Sequence, residues 1–293
     1  MAIGEEGAFR EIFSRLMLEG KFVSPRGQLV LEAENFQYTL KPYQRFQSFN
    51  CRKLNLNYIK DELLWYLKGN RFDLSITEKA KIWKGIVNDD GSINSNYGQY
   101  LFPSKCGQFN SAFCTLIEDK DSRRASMMIL SADHLLSVTK DVPCTYALNF
   151  RIRENMLNMT VHMRSQDAIF GMGNDAPAFS FIHEMMFNLL KDQYPDLRYG
   201  KYCHFADSFH VYERHFKMMQ TITGYAVDDN HLYPSENQDD SFTKIECPQI
   251  YGSKEVWFMI DVLAQSVSAG ESVINIIPPE FKFSKWLVTR DYK

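Results

Sequence analysis

Cys144, Arg164, Asp167 and Asp175 are the side chains in this sequence whose types and spacing most clearly suggest chemistry. A thiol beside a guanidinium has its thiolate favoured, which suits a cysteine that attacks an electron-poor carbon. Alternation in the sequence is what would bring such groups together. Tyr146, Leu148, Phe150 and Ile152 share one parity, as do Leu157, Met159, Val161 and Met163, with Glu154 and Asn155 between the two runs. That pattern predicts a β-hairpin with a two-residue turn. In this register Arg153 pairs with Met156, and Cys144 falls opposite Ser165 and beside Arg164. A slip by one residue would turn these side chains to the other face. Taken without its neighbours, Cys144 is one of six ordinary small cysteines.

The elements around this hairpin follow from periodicity and punctuation. Phe9, Ile12, Phe13 and Leu16 predict a helix over residues 5 to 18, with Gly20 as its C-terminal glycine. Ser24-Pro25-Arg26-Gly27 is a turn, and Leu29 to Leu40 reads as extended chain. Tyr58, Leu63, Leu64, Trp65 and Leu67 predict a second helix, capped by Asn55 or Asn57 and stopped at Gly69. After the hairpin, Phe179, Ile182, Met185, Met186, Leu189 and Leu190 repeat as a core-facing helix. Ser208 to Tyr212 alternates as a short strand, which turns His210 and Tyr212 to one side. Residues 225 to 248, with Asp228-Asp229-Asn230 and Ser235-Glu236-Asn237-Gln238-Asp239-Asp240, read as a mobile surface loop. Val256, Trp257, Ile260, Leu263 and Val267 predict a further helix ending near Gly270. The remainder, with Pro278-Pro279 and four aromatic residues, suggests no element.

With 293 residues and 45% hydrophobic content, the chain can bury a full core, and a single domain over 1–293 is expected. A net charge of −3 argues against a nucleic-acid polymer as partner. Six cysteines without a C-x-x-C pair fit a reducing environment. The first residues carry neither a basic nor an apolar leader segment, and no apolar run reaches the ~18 residues of a membrane span. A cytoplasmic protein without membrane association is therefore expected.

Several motifs together resemble the thymidylate synthase family. Pro143-Cys144 resembles its nucleophile, and Arg164-Ser165-x-Asp167-x-x-x-Gly171 resembles its Arg-Ser-x-Asp-x-x-x-Gly signature. Glu62-Leu63-Leu64-Trp65-Tyr66-Leu67-Lys68-Gly69 is similar to the family's Glu-Leu-Leu-Trp-Phe-Leu-Lys-Gly segment, and Trp83 and Asn94 to Gly98 continue the likeness. Asp121-Ser122-Arg123-Arg124 and His210-x-Tyr212 match further family motifs. The likeness runs from about residue 20 to 220 and leaves 221–293 as an extension of unclear role. It implies an α/β (α+β) fold with a mixed β-sheet flanked by helices, dimerising through the sheet face. By the same resemblance Cys144 is the nucleophile and Glu62 orders water and relays protons at the pyrimidine. Arg164 and Ser165 belong with the nucleotide-binding residues, together with His210 and Tyr212, which clamp the sugar. Arg123 and Arg124 reach the phosphate of the partner subunit, a task for the bidentate guanidinium fork. Asp167, Gly171, Trp83 and Tyr97 lie on the folate side. Arg26 stands one place from the family's phosphate-gripping arginine, although Gly27 aligns, and is equally a solvated turn residue.

Two departures matter. Usual members read the base with an asparagine where this chain has Asp175, and follow the nucleophile with histidine where it has Thr145. The first change resembles the deoxycytidylate hydroxymethylase branch known from bacteriophages. Asparagine offers uracil one donor and one acceptor, whereas an ionised aspartate offers only acceptors, which suits the amino group and a protonated N3 of cytosine. The implied reaction moves a one-carbon unit from 5,10-methylenetetrahydrofolate, as co-substrate and without a metal, to C5 of dCMP, with water completing a hydroxymethyl group. The alternatives are a 5-methyltransferase on dCMP or dUMP, a CMP hydroxymethylase, and a catalytically silent relative that only binds nucleotide or a partner protein.

Overall fold

The computed structural model describes residues 4–102, 107–228, 230–235, 237–239, 241–269 and 273–290. Cys106, Asp229, Glu236, Asp240 and the expected helix stop at Gly270 lie outside the described residues. Strands β1 (Lys21–Val23), β2 (Val30–Leu40), β3 (Ser126–Met128), β4 (Thr145–Arg153), β5 (Met156–Met163), β6 (Gln166–Asp167) and β7 (Arg198–Tyr212) form a seven-stranded sheet. Its order is β1-β2-β7-β5-β4-β3, with β6 pairing β7 off that path. The β1–β2, β2–β7 and β3–β4 pairs are antiparallel and β6–β7 is parallel, so the sheet is mixed, as expected. Strands β8 (Tyr225–Asp228) and β9 (His231–Pro234) make a separate hairpin.

The helices are α1 (Glu5–Glu19), α2 (Leu56–Lys68), α3 (Lys81–Ile86), α4 (Gly98–Leu101), α5 (Gln108–Glu118) and α6 (Ala132–Leu136). They continue with α7 (Phe170–Gln193), α8 (Phe216–Thr223), α9 (Gly252–Phe258), α10 (Ala264–Ala269) and α11 (Lys282–Val288).

The predicted hairpin turn is present. Glu154 and Asn155 both adopt left-handed φ, 53° and 56°, the geometry that lets a two-residue loop follow the twist of its strands. Leu157, Met159, Val161 and Met163 are buried as one face of β5.

The chain forms two compact units, each assembled from three separated segments. The first comprises Met1–Leu54, His162–Ser180 and Tyr202–Glu246. Here α1 buries Phe9, Ile12, Phe13, Leu16 and Met17 and packs on β2 and α8. Gly20 closes α1 in an extended conformation, φ −71°, not in the left-handed one its position suggested. Space explains the residue: a β-carbon there would lie 2.7 Å from the Leu16 carbonyl oxygen. The segment read as a mobile loop contains the β8–β9 hairpin, and Phe242 bridges back to Phe49.

The second unit comprises Asn55–Val161, Phe181–Lys201 and Cys247–Lys293 and centres on α2. Asn55 caps that helix by accepting from the Tyr58 N–H at 3.1 Å, and left-handed Gly69 (φ 61°) ends it. Its residues from Tyr58 to Tyr66 are buried except Asp61, because α4, α10 and α11 all pack against it. Gly98 at the start of α4 is required by contact, since a β-carbon would sit 1.6 Å from the Tyr66 carbonyl oxygen. The C-terminal stretch that suggested no element supplies α11. From its end the Thr289 carbonyl accepts from the fully buried Lys60 Nζ at 3.0 Å, and the Trp286 ring lies 4.5 Å beneath that ammonium. Helices α9 and α10 run on through a π-type turn, Met259–Leu263.

Candidate active site

In the first unit, β6 and the start of α7 gather the acids. Helix α7 begins at Phe170, well before the Phe179 from which its periodicity is legible, because Gly171, Gly173 and Pro177 mask the pattern. Both carboxylate oxygens of Asp167 accept backbone N–H groups of this first turn, from Ile169 and Phe170, each at 3.1 Å. Negative charge at a helix start is favourable, and each oxygen keeps a second lone pair for a further donor. Asp175 lies one turn further on, and its Oδ2 accepts from Gln166 Nε2 at 3.0 Å. Burial, with Asp167 adding repulsion and Gln166 opposing both, pushes the Asp175 carboxyl up to about 7. Gly171 sits over the pair: a β-carbon there would come within 3.4 Å of Asp167 Cβ and 3.8 Å of Asp175 Oδ2.

His210 enters this neighbourhood by register, as the parallel β6–β7 pairing sets Asp167 against it. Its Nδ1 meets Ser208 Oγ at 3.3 Å, and that hydroxyl in turn donates to Glu32 Oε1. Burial lowers the His210 pKa, against the pull of Asp167, so the imidazole is neutral at pH 7. Tyr212 lies edge-on to it with ring centroids 5.1 Å apart, and the Arg214 guanidinium covers the Tyr212 ring at 4.0 Å. The same-side placement of His210 and Tyr212 expected from alternation is therefore present. Arg164 and Ser165, both half-buried, occupy the link between β5 and β6. Arg26 is exposed on the Pro25–Gly27 turn, with φ 53° and no hydrogen-bond partner among the described residues.

In the second unit, Glu62 is buried on α2 and accepts from the Tyr58 hydroxyl at 3.0 Å, one turn earlier on the same face. Trp83 Nε1 donates to that same hydroxyl at 2.8 Å. Trp83, Tyr58 and Glu62 thus form one chain, in which an indole that can only donate fixes the direction of the phenol proton toward the carboxylate. Tyr97 stacks on Tyr66 with centroids 5.4 Å apart. Arg123 and Arg124 precede β3 as exposed guanidinium groups without hydrogen-bond partners among the described residues. Cys144 is half-buried, reduced, and immediately precedes β4. Its neighbour Thr145 is fully buried, and the hydroxyl meets no partner among the described residues.

Three functional candidates escaped the sequence reading. Tyr58 was legible only as an apolar helix position, although its spacing of four from Glu62 is a usable signal. Gln166 carried no signal beyond lying inside the Arg-Ser-x-Asp motif. Arg52 is buried with its guanidinium 5.2 Å from the Phe170 ring centroid, and burial lowers its pKa to about 10 while Asp167 opposes that shift. Gly173 makes room for it, since a β-carbon there would lie 2.3 Å from Arg52 Nη2. Among the described residues no group of three or more His, Cys, Asp or Glu side chains is placed to hold a metal ion, and no helix is long and apolar enough to cross a membrane.

Comparison with known proteins agrees with the motifs. The thymidylate synthase family model matches residues 8–245. Deoxycytidylate 5-hydroxymethyltransferase of Enterobacteria phage T6 is 32% identical over 174 residues, covering 57% of this chain and 71% of that protein. Deoxyuridylate hydroxymethyltransferase of Bacillus phage SP01 is 29% identical over 220 residues, 70% of this chain and 56% of that protein. Thymidylate synthase of Buchnera aphidicola (strain Tuc7) is 25% identical over 201 residues, 66% of this chain and 72% of that protein. With an acid-bearing start of α7, a buried helix carrying Glu62 and a family match through segments of both units, the chain belongs to the thymidylate synthase family, enzymes that transfer a one-carbon unit to a pyrimidine nucleotide.

Proposed function

We propose that the chain, as a single catalytic domain over 1–293, hydroxymethylates dCMP at C5 with 5,10-methylenetetrahydrofolate as co-substrate. The carrying observation is Asp175, an acid in the place of the family's base-reading asparagine, with a hydrogen-bond donor already supplied by Gln166. Support also comes from the deoxycytidylate 5-hydroxymethyltransferases among its relatives.

In this reading the Cys144 thiolate adds to C6 of the pyrimidine and leaves electron density at C5. The folate supplies a methylene carbon to that position and departs as tetrahydrofolate, with loss of the C5 proton. Glu62, oriented through Tyr58 and Trp83, positions the water that adds to the exocyclic carbon, after which the thiolate leaves. Ionised Asp175 accepts from the N4 amino group and a protonated N3, and proton gain at N3 makes C6 more electrophilic. Neutral His210 and Tyr212 hold the sugar hydroxyl, with Arg164, Ser165 and Arg26 on the nucleotide. Asp167, Gly171, Trp83 and Tyr97 face the folate. Arg123 and Arg124, unpartnered within the described chain, reach the phosphate in a second copy, which makes the active form a homodimer acting in the cytoplasm, that of the host if the chain is phage-encoded.

A second reading is hydroxymethylation of dUMP. It is favoured by the Asp175 carboxyl, which at about 7 is partly protonated near neutrality and can then donate to a uracil O4. Relatives named deoxyuridylate hydroxymethyltransferase agree with it.

Exchange of the C5 hydrogen with solvent tests the covalent step. Wild-type protein is expected to catalyse it on dCMP, and Cys144→Ala to lose it while still binding the nucleotide. Exchange that survives in Cys144→Ala would remove the thiolate from the mechanism.

A further inference from the structure

We propose that Gln166, backed by Tyr38, is a specificity-determining positioning residue: it fixes Asp175 as an acceptor and so gives the site its preference for a cytosine edge over a uracil edge. This rests on the reading of Asp175 as the base-reading residue.

The two ends of a glutamine amide differ only in which donates, and here the neighbours decide. Tyr38 donates its hydroxyl to Gln166 Oε1 at 3.1 Å, so Nε2 faces Asp175 Oδ2 at 3.0 Å. Reversing the amide would set its oxygen against an ionised carboxylate. The phenol stays neutral and keeps the proton it gives to Gln166, because burial, with Asp175 adding to it, raises the Tyr38 pKa well above its ordinary value. Position is fixed as firmly as polarity. Gln166 and Tyr38 are buried, Gln166 is registered against Phe209 by the β6–β7 pairing, and Tyr38 is paired with His204 across β2 and β7. The Tyr38 and His204 rings stack at 4.8 Å with planes 7° apart, and burial drives the His204 pKa down to about 3, so no positive charge arises there.

The groups around Asp175 come from three elements, and burial is the largest influence against its ionisation. Asp167 on β6 repels the negative charge, and Tyr38 on β2 and Tyr202 on β7 are neutral phenols whose own ionisation Asp175 disfavours. The Gln166 amide is the contact that favours the carboxylate form. It takes one acceptor site of Oδ2 and leaves the other for the substrate, together with Oδ1, which meets no donor among the described residues. An ionised, donor-fed carboxylate accepts from N4 and protonated N3 of cytosine and repels O4 of uracil. Without the amide, burial and Asp167 place a proton on Asp175, and a carboxylic acid can satisfy both O4 and N3–H of uracil.

The test uses Gln166→Met, which keeps volume and removes both hydrogen bonds, and Tyr38→Phe, which removes only the fixing donor. The ratio of kcat/KM for dCMP over dUMP is expected to fall about tenfold in Gln166→Met, with a smaller change of the same sign in Tyr38→Phe. The Asp175-dependent limb of the pH profile is expected to move upward. Equal loss on both nucleotides with an unmoved limb would mean a merely structural role and overturn the proposal. Carboxyl-carbon NMR of Asp175 in the free protein reads the same effect without turnover, and its titration midpoint should rise in Gln166→Met. A midpoint that stays or falls overturns the role of Gln166 even if the dCMP reading holds. A chain that turns over neither nucleotide fails the functional reading, and the NMR midpoint then decides for Gln166 alone.

Discussion

Asp175 is the residue where sequence and electrostatics meet most sharply. Its carboxyl titrates near 7 in the folded chain against an ordinary value of 3.8, so between those values the folded state binds more protons than the unfolded one. Stability therefore falls as pH rises from about 4 to about 7, and the full penalty stands above 7. Asp175→Asn removes the penalty. It is expected to stabilise the fold by about 1–2 kcal/mol at pH 8 after discounting for partial solvent screening, seen as a higher unfolding temperature, and to leave stability nearly unchanged at pH 4. Thermal unfolding at the two pH values checks this. The same substitution restores an amide that offers both donor and acceptor, so nucleotide preference should move toward dUMP, read as the ratio of kcat/KM values. An unchanged ratio would refute the account of base choice, whatever happens to stability.

At the scale of elements, α2 and α3 are built to aim one carboxylate. Tyr58 and Glu62 share a face of α2, and Trp83 on α3 donates to the hydroxyl between them. Tyr58→Phe breaks the chain while leaving the ring in place. It is expected to lower kcat by about tenfold or more with little change in KM, because the ground state keeps its packing while the water-positioning group loses orientation. Steady-state kinetics on the variant would show it, and a change confined to KM would count against the relay. Much of this architecture was legible beforehand. The β4–β5 hairpin followed from parity and a two-residue turn, and α2 from its cap, its glycine stop and its apolar spacing. What escaped had physical reasons. Helix α7 starts nine residues early because Asp167 satisfies the first N–H groups of a stretch whose glycines and proline carry no helical signal. The β8–β9 hairpin hid behind acidic composition, and α11 is held by contacts to α2 that are remote in sequence. Gln166 and Arg52 were invisible for the same reason, since their roles depend on neighbours that only folding supplies.

For the molecule as a whole, the family likeness read over about residues 20 to 220 extends over 8–245, while the C-terminal segment beyond it packs on the helix that carries Glu62. The proposed reach of Arg123 and Arg124 into a second copy is a statement about assembly and has an assembly test. Arg124→Ala and Cys144→Ala proteins, each impaired alone, are expected to recover activity when subunits are mixed, because a mixed dimer contains one site with both groups intact. No recovery on subunit exchange would confine the arginines to their own chain. The group left on the nucleotide separates a hydroxymethylating enzyme from a methylating one. Pure enzyme is incubated with 5,10-methylenetetrahydrofolate and either dCMP or dUMP, the nucleotide is weighed by mass spectrometry, and dihydrofolate is followed by absorbance. The account predicts a hydroxymethyl group on dCMP with no dihydrofolate formed; a methylated nucleotide accompanied by dihydrofolate would contradict it.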